Sequence, residues 1–332
     1  MNFTKFPRRK YLQGPTPIES MPALTKILGG DVGLYVKRDD LLPGAGGGNK
    51  TRKLEFCIAD AIKKGADTII TCGAVQSNHA RLTASWSAKE GMDCHLILEE
   101  RVKKSYKQEA SGNNFLFELL GVKSIGVVEA GSDMMAEMEK KFEALKKEGK
   151  NPYIIPGGAS NDIGALGYAA CVEETMAQLN DLRLKIDYIV VPSGSGGTHA
   201  GIVAGMIGVN GGIPVYGINV SRVKDVQEEL VLDLAGKTAE KLGIKNVIKR
   251  DEVICFDQYV GPGYSLPTDS MVEAVKLFSQ NEAILLDPVY TGKAAAGLID
   301  LVRKNGFKKG SNVLFLHTGG SPALYEYLET FR

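Results

Sequence analysis

No run of apolar residues in this chain approaches the about 20 needed to cross a bilayer as a helix. The longest runs, such as Tyr188 to Val191 and Ala283 to Leu286, are the size of strands, so no membrane span is expected. Charge of one sign is also lacking. Net charge is +1 with 24% charged residues, which gives no electrostatic reason to expect nucleic acid or an anionic membrane as partner. Five cysteines (Cys57, Cys72, Cys94, Cys171 and Cys255) are scattered, odd in number and without a Cys-x-x-Cys pair. That pattern argues against a zinc or disulfide framework and fits reduced thiols filling the core of a cytoplasmic protein. The first ten residues are partly basic but no apolar stretch follows them, so no secretory signal is expected. No metal site, internal repeat or low-complexity segment is apparent.

What the 332 residues do contain is a regular alternation of short apolar runs and amphipathic stretches, long enough for two domains. Expected strands are Gly33 to Val36, Thr68 to Thr71, Cys94 to Leu98, Ser124 to Val128, Tyr153 to Ile155, Tyr188 to Val191, Val215 to Val220, Ala283 to Leu286 and Val313 to Leu316, with Val253 to Phe256 a candidate edge strand. Between them, Leu54, Ile58 and Ile62 recur at helical spacing, and helices are expected over 134–147, from Ser193–His199 to about Gly208, over 224–242 and over 291–304. Residues 99–112 show neither period and read as a solvated connection. Such alternation implies an α/β fold with open, twisted, mainly parallel sheets covered by helices on both faces. Ligands in these folds bind beyond the carboxyl ends of the strands.

Two stretches carry chemistry. Gly46-Gly47-Gly48-Asn49-Lys50 runs into the helical pattern, which puts Lys50 at a loop-to-helix junction where a flat organic group can approach the main chain. The positive end of the helix disfavours an ammonium there and favours a neutral amine, the form that makes Schiff bases. The alternative is an ordinary glycine-rich turn followed by a solvated lysine. The second stretch is Ser193-Gly194-Ser195-Gly196-Gly197-Thr198, which follows a strand and opens a helix. It offers unhindered N–H groups and a helix dipole to a phosphate. Thr198-His199 stands where a P-loop has Gly-Lys-Ser/Thr, and no acidic residue follows the next strand as the dinucleotide fingerprint requires. A phosphate monoester fits best. A reactive lysine with a phosphate cup points to pyridoxal 5′-phosphate, which carries an aldehyde and a phosphate.

From Phe6-Pro7-Arg8 to the last helix, the chain resembles the fold-type II pyridoxal phosphate enzymes, within them the D-cysteine desulfhydrase and 1-aminocyclopropane-1-carboxylate (ACC) deaminase family. The likeness rests on Val36 to Asp40, Gly47 to Lys50, Gln76 to His79, Pro156 to Gly158, Ser193 to Thr198, Gly261 to Tyr264, Asp287 to Lys293 and His317 to Gly320. It implies two sheets of the tryptophan synthase β type, with residues 50–161 a small domain inserted in a large cofactor-binding domain of residues 1–49 and 162–332. It also implies Lys50 as the Schiff-base lysine, Asn78 on the ring hydroxyl, and Gly194, Ser195, Gly196, Gly197 and Thr198 on the phosphate. Ser77 would receive the substrate carboxylate, Tyr290 would lie on the ring face and Tyr264 near the substrate. A homodimer acting on a small amino acid is implied as well.

One departure from the family pattern bears on the reaction. The family's deaminases have Tyr-Glu-Gly-Lys where this chain has Tyr290-Thr291-Gly292-Lys293, and leucine where it has Thr318. With Thr291 expected at the pyridine nitrogen, a neutral hydroxyl supports a protonated ring poorly. That favours β-elimination of a sulfur leaving group over opening of a cyclopropane. D-Cysteine desulfhydrase is the leading expectation by resemblance, followed by L-cysteate sulfo-lyase and ACC deaminase. For the sulfonate of L-cysteate, Arg81 or the basic run Arg101, Lys103, Lys104 and Lys107 is a candidate attractor, the run otherwise reading as a solvated loop. A phosphate- or nucleotide-binding module without catalysis is the alternative of another class.

Overall fold

The computed structural model describes residues 1–332. β1 (Ile18–Ser20), α1 (Pro22–Ile27) and β2 (Gly33–Lys37) precede α2 (Lys50–Lys63). Next come β3 (Thr68–Ala74), α3 (Asn78–Lys89), β4 (Asp93–Glu100), α4 (Asn113–Leu119), β5 (Ser124–Glu129), α5 (Met134–Lys147) and β6 (Pro152–Ile155). The long α6 (Asp162–Leu182) is followed by β7 (Tyr188–Ser193), α7 (Gly197–Gly208), β8 (Val215–Asn219), α8 (Lys224–Leu242) and β9 (Ile254–Phe256). Then α9 (Asp269–Glu282), α10 (Thr291–Arg303) and β10 (Asn312–Leu316) complete the core, with short turns of helix at α11 (Ser321–Leu324) and α12 (Leu328–Phe331).

Local sequence explains many of these boundaries. Asp133 caps α5 by accepting hydrogen bonds from the N–H groups of Met135 and Ala136, and Lys146 and Lys147 sit at its negative end. Gly65, at φ +72°, follows the last turn of α2. β3 is buried along most of its length because helices cover both sides of its sheet.

The strands form two sheets. One has the order β1-β2-β10-β7-β8-β9 and only β1 is antiparallel; the other, β5-β4-β3-β6, is wholly parallel. In the small sheet the chain leaves β3 towards β4 and β5, then returns to the other side as β6. In the large one it leaves β7 towards β8 and comes back as β10. Each reversal opens a crevice at the carboxyl ends of the strands, where neighbouring loops diverge.

Three expectations change. Ala283 to Leu286 is not a strand: Ala283 has φ +55°, and no partner pairs with the segment. Its alternating burial comes from Ile284 and Leu286 packing into the core beneath the sheet while Leu285 faces solvent. The stretch 99–112 is not wholly a solvated connection, since β4 continues through Glu100. Helices α1, α4, α6 and α9 also stand where no element was expected. For α6 the reason is burial on several sides, against α2, α7 and α8, which removes the polar stripe that marks an amphipathic helix.

Candidate active site

Loops from both sheets enclose a cavity of about 280 Å³. After β3 and β6 come Ser77 and Pro156 to Gly158; after β7 and β10 come Gly194 to Gly196 and Thr318 to Gly319. The crevices of the two sheets thus face one another. The glycine loop before α2 closes one side. Gly47, at φ +68°, lies so close to the Asp40 and Leu42 carbonyls that a Cβ would have no room.

Lys50 is the first residue of α2 and lines this cavity, its amine donating a hydrogen bond to Asn49 Oδ1 at 3.0 Å. Desolvation lowers its pKa to about 8; Asp287 opposes that shift and Arg81 adds to it. The amine therefore has a far larger neutral fraction near physiological pH than an ordinary lysine, though the protonated form still predominates. Ser77 caps α3, accepting a hydrogen bond from Ala80 N at 3.1 Å, and leaves the helix start open to the cavity. Asn78 also lines it, its Oδ1 accepting from Asn113 Nδ2 at 2.9 Å. This leaves the Asn78 amide N–H groups free to donate.

The phenols of Tyr264 and Tyr290 hydrogen-bond to each other, their rings edge to face at 5.8 Å. Burial is the first cause raising both pKa values, so both are neutral proton carriers. Lys50 Nζ lies 6.0 Å from the Tyr290 ring centroid, and the Arg101 guanidinium sits 4.3 Å from that of Tyr264.

Opposite lies the cup after β7. Gly196 adopts φ +84° with Leu230 pressed against it, a conformation and a space that exclude side chains. Ser195, Gly194 and Thr198 line the cavity, and Asn49 Nδ2 donates to Thr198 Oγ1 at 2.9 Å. Gly197 does not line it; its N–H donates to Ser160 Oγ at 3.2 Å. Beside Gly197 is Lys53, fully buried, whose amine donates to the Gly158 carbonyl at 3.0 Å and Ser160 Oγ at 3.4 Å. No carboxylate pairs with it. Burial and the neighbouring Lys50 push its pKa well down. A buried amine without a counter-charge, next to a helix start, suits a site that receives an anion.

Thr291 is elsewhere. It is fully buried, its hydroxyl donating to Asp287 Oδ1 at 2.7 Å and accepting from Asp287 N at 2.8 Å, and it does not line the cavity. As the first residue of α10 its side chain serves the helix start, which overturns its expected position at the ring nitrogen. Thr318 does line the cavity. Arg81 is likewise withdrawn, donating to Asn113 Oδ1 at 2.7 Å, to Gly47 O at 3.0 Å and to Ala45 O. Of the basic run only Arg101 lines the cavity, where it meets Arg222 and Glu99.

Residues 10–319 match the pyridoxal-phosphate dependent enzyme family. The chain belongs to this family. Among solved structures it is similar to an ACC deaminase homologue, with 38% identity over 98% of this chain and 96% of that one and a TM-score of 0.89. A fungal L-serine ammonia-lyase from Rhizomucor miehei (19% identity, 96% and 98% covered, TM-score 0.67) and a pyridoxal 5′-phosphate-dependent aspartate racemase (18%, 92% and 90%, 0.66) share the fold. The two facing sheets are thus those of fold type II, and pyridoxal 5′-phosphate is the cofactor. The cavity suits it: an amine for the aldehyde, and across from it a glycine-rich cup for the phosphate, with the uncompensated Lys53 amine buried behind Gly197.

Sequence reasoning missed Lys53, Arg222 and Asp287. Lys53 was within reach, because a residue three beyond Lys50 on a helix shares its face. Asp287 opens one of the motifs that carry the family resemblance, but its grip on the turn into α10 shows only in the structure; Arg222 gave no local signal, since tertiary packing alone brings it here.

Proposed function

We propose that this enzyme catalyses β-elimination from a cysteine-type amino acid, yielding pyruvate, ammonia and an anionic sulfur product. The observation that carries the reading is the charge of the cavity lining. Its only carboxylate, Glu99, is ion-paired to Arg101 at 2.6 Å. The hydroxyl available to the ring nitrogen is that of Thr318. A neutral partner gives weak support to a protonated ring, which cyclopropane opening needs and expulsion of a good leaving group does not.

In this reading Lys50 holds the cofactor aldehyde, Asn78 its ring hydroxyl, and Gly194, Ser195, Gly196 and Thr198 its phosphate, with the Lys53 amine behind the cup. When bound, the cofactor supplies the electron-withdrawing conjugation that makes the substrate α-proton removable. Ser77 and the N–H groups at the start of α3 receive the substrate carboxylate. The freed Lys50 amine takes the α-proton, and the Tyr264–Tyr290 pair holds a proton beside the substrate, Arg101 keeping Tyr264 in place. D-Cysteine, releasing sulfide, is the substrate carried over from the family resemblance. A second reading, L-cysteate releasing sulfite, is favoured by Arg101 and Arg222, two cations against one carboxylate in the lining.

The test is a panel of D-cysteine, L-cysteine, L-cysteate, D-serine and ACC, assayed for pyruvate and 2-oxobutyrate. Pyruvate from a sulfur-bearing substrate is expected. A kcat/KM for 2-oxobutyrate formation from ACC above that for every cysteine-type substrate would overturn the reading.

A further inference from the structure

Asp287 is fully buried and has no ionic partner within 4 Å. One carboxylate oxygen accepts from Val289 N at 3.0 Å and Tyr290 N at 2.9 Å, the other from Thr291 N at 2.8 Å and Thr291 Oγ1 at 2.7 Å. Those bonds fix the turn into α10 and with it the backbone of Tyr290. From the same end of α10, the Lys293 amine donates to the Val260 and Gly263 carbonyls, each at 2.7 Å, and so holds the loop that presents Tyr264. One helix start therefore places both phenols. The carboxylate also lies just under the cavity floor: a Cβ on Gly320 would stand 2.8 Å from both Asp287 Cγ and Asn78 Nδ2.

We propose that Asp287 is a positioning residue for this active site, fixing Tyr290 through its backbone and setting a buried negative charge under the cavity that Lys50 lines. An uncompensated carboxylate in a low-dielectric interior acts on neighbours it does not touch. Those within its field are Lys50 on α2, Lys293 on α10, His317 after β10, and the phenols of Tyr264, Tyr290 and Tyr327. On Lys50 it opposes burial and the repulsion of Arg81 from α3, while Lys53 and His79 are the other basic groups close by. The charge keeps the amine from becoming neutral at still lower pH, and it discourages either phenol from ionising.

This rests on Lys50 as the cofactor lysine but on no particular substrate. The measurement uses cofactor-free protein: acylation of Lys50 as a function of pH, followed by mass spectrometry of its peptide. Asp287→Asn removes the charge, and the midpoint is expected to move to lower pH. Thr291→Val removes both hydrogen bonds of the hydroxyl, one to the carboxylate and one from Asp287 N, but keeps the charge, and its midpoint should stay at the wild-type value. In the holoenzyme, the acid limb of the kcat profile, which reports the Lys50 amine in the substrate complex, should shift to lower pH in Asp287→Asn and not in Thr291→Val. Should the asparagine variant not fold, Asp287→Ser keeps a hydroxyl to cap the turn and should give the same downward shift. An unmoved midpoint in the folded uncharged variant, or an equal shift in Thr291→Val, would overturn the proposal. Because no turnover is needed for the midpoint, a failed substrate panel and a failed Asp287 assignment are separate results.

Discussion

Lys53→Met separates what a buried lysine costs the empty protein from what it gives to cofactor binding. In the wild type the amine has the Gly158 carbonyl at 3.0 Å, a long contact to Ser160 at 3.4 Å and no carboxylate. Losing the better hydrogen bond costs about 1 kcal/mol. Replacing an amine held in an unfavourable interior by a thioether of similar length offsets that loss. The cofactor-free variant should therefore be no more than about 1 kcal/mol less stable than wild type. Cofactor binding should suffer far more, since a charge-assisted hydrogen bond near the phosphate is lost, worth about 1.5–3 kcal/mol. That corresponds to roughly 10- to 150-fold weaker binding. Denaturant unfolding of the cofactor-free proteins gives the first quantity, and equilibrium dialysis against pyridoxal 5′-phosphate the second. Unchanged affinity in a variant of normal stability would refute the role of Lys53 in the cup, whereas a loss of stability large enough to explain the weaker binding would make it structural.

Lys50→Ala should abolish the visible absorbance of the lysine-bound cofactor and nearly all pyruvate release while leaving phosphate-driven binding measurable; wild-type turnover would end its assignment. Thr291→Glu would set a second carboxylate against Asp287 in a fully buried place, and should cost about 3 kcal/mol or more in denaturant unfolding; a stable variant would mean that Thr291 can turn to the cavity after all. Arg101→Gln keeps a polar side chain over Tyr264 but removes a charge. It should lower kcat/KM for L-cysteate more than for D-cysteine, and an equal fall for both would argue against recognition of the β-substituent by charge.

The alternation of apolar runs and amphipathic stretches determines a parallel α/β fold by itself, because a strand buried on both faces and a helix buried on one have different periods. The loops that bear chemistry were legible for a related reason. Gly47 and Gly196 occupy conformations or spaces that other residues cannot, and Lys50 and Ser77 stand at helix starts that the local pattern locates. Where burial blurs the pattern, as in α6, or imitates it without a pairing strand, as at Ala283 to Leu286, the sequence misleads. Direction is the other thing it leaves open. On paper Thr291 is the expected partner for a ring nitrogen, but its hydroxyl is held by Asp287 while that of Thr318 lines the cavity. Arg81 and Arg101 are similarly alike in a chain of letters, yet one is spent on the carbonyls of the glycine loop and the other faces Tyr264. These choices depend on which hydrogen-bond partners lie nearest once both sheets have come together, and that is a property of the tertiary structure alone.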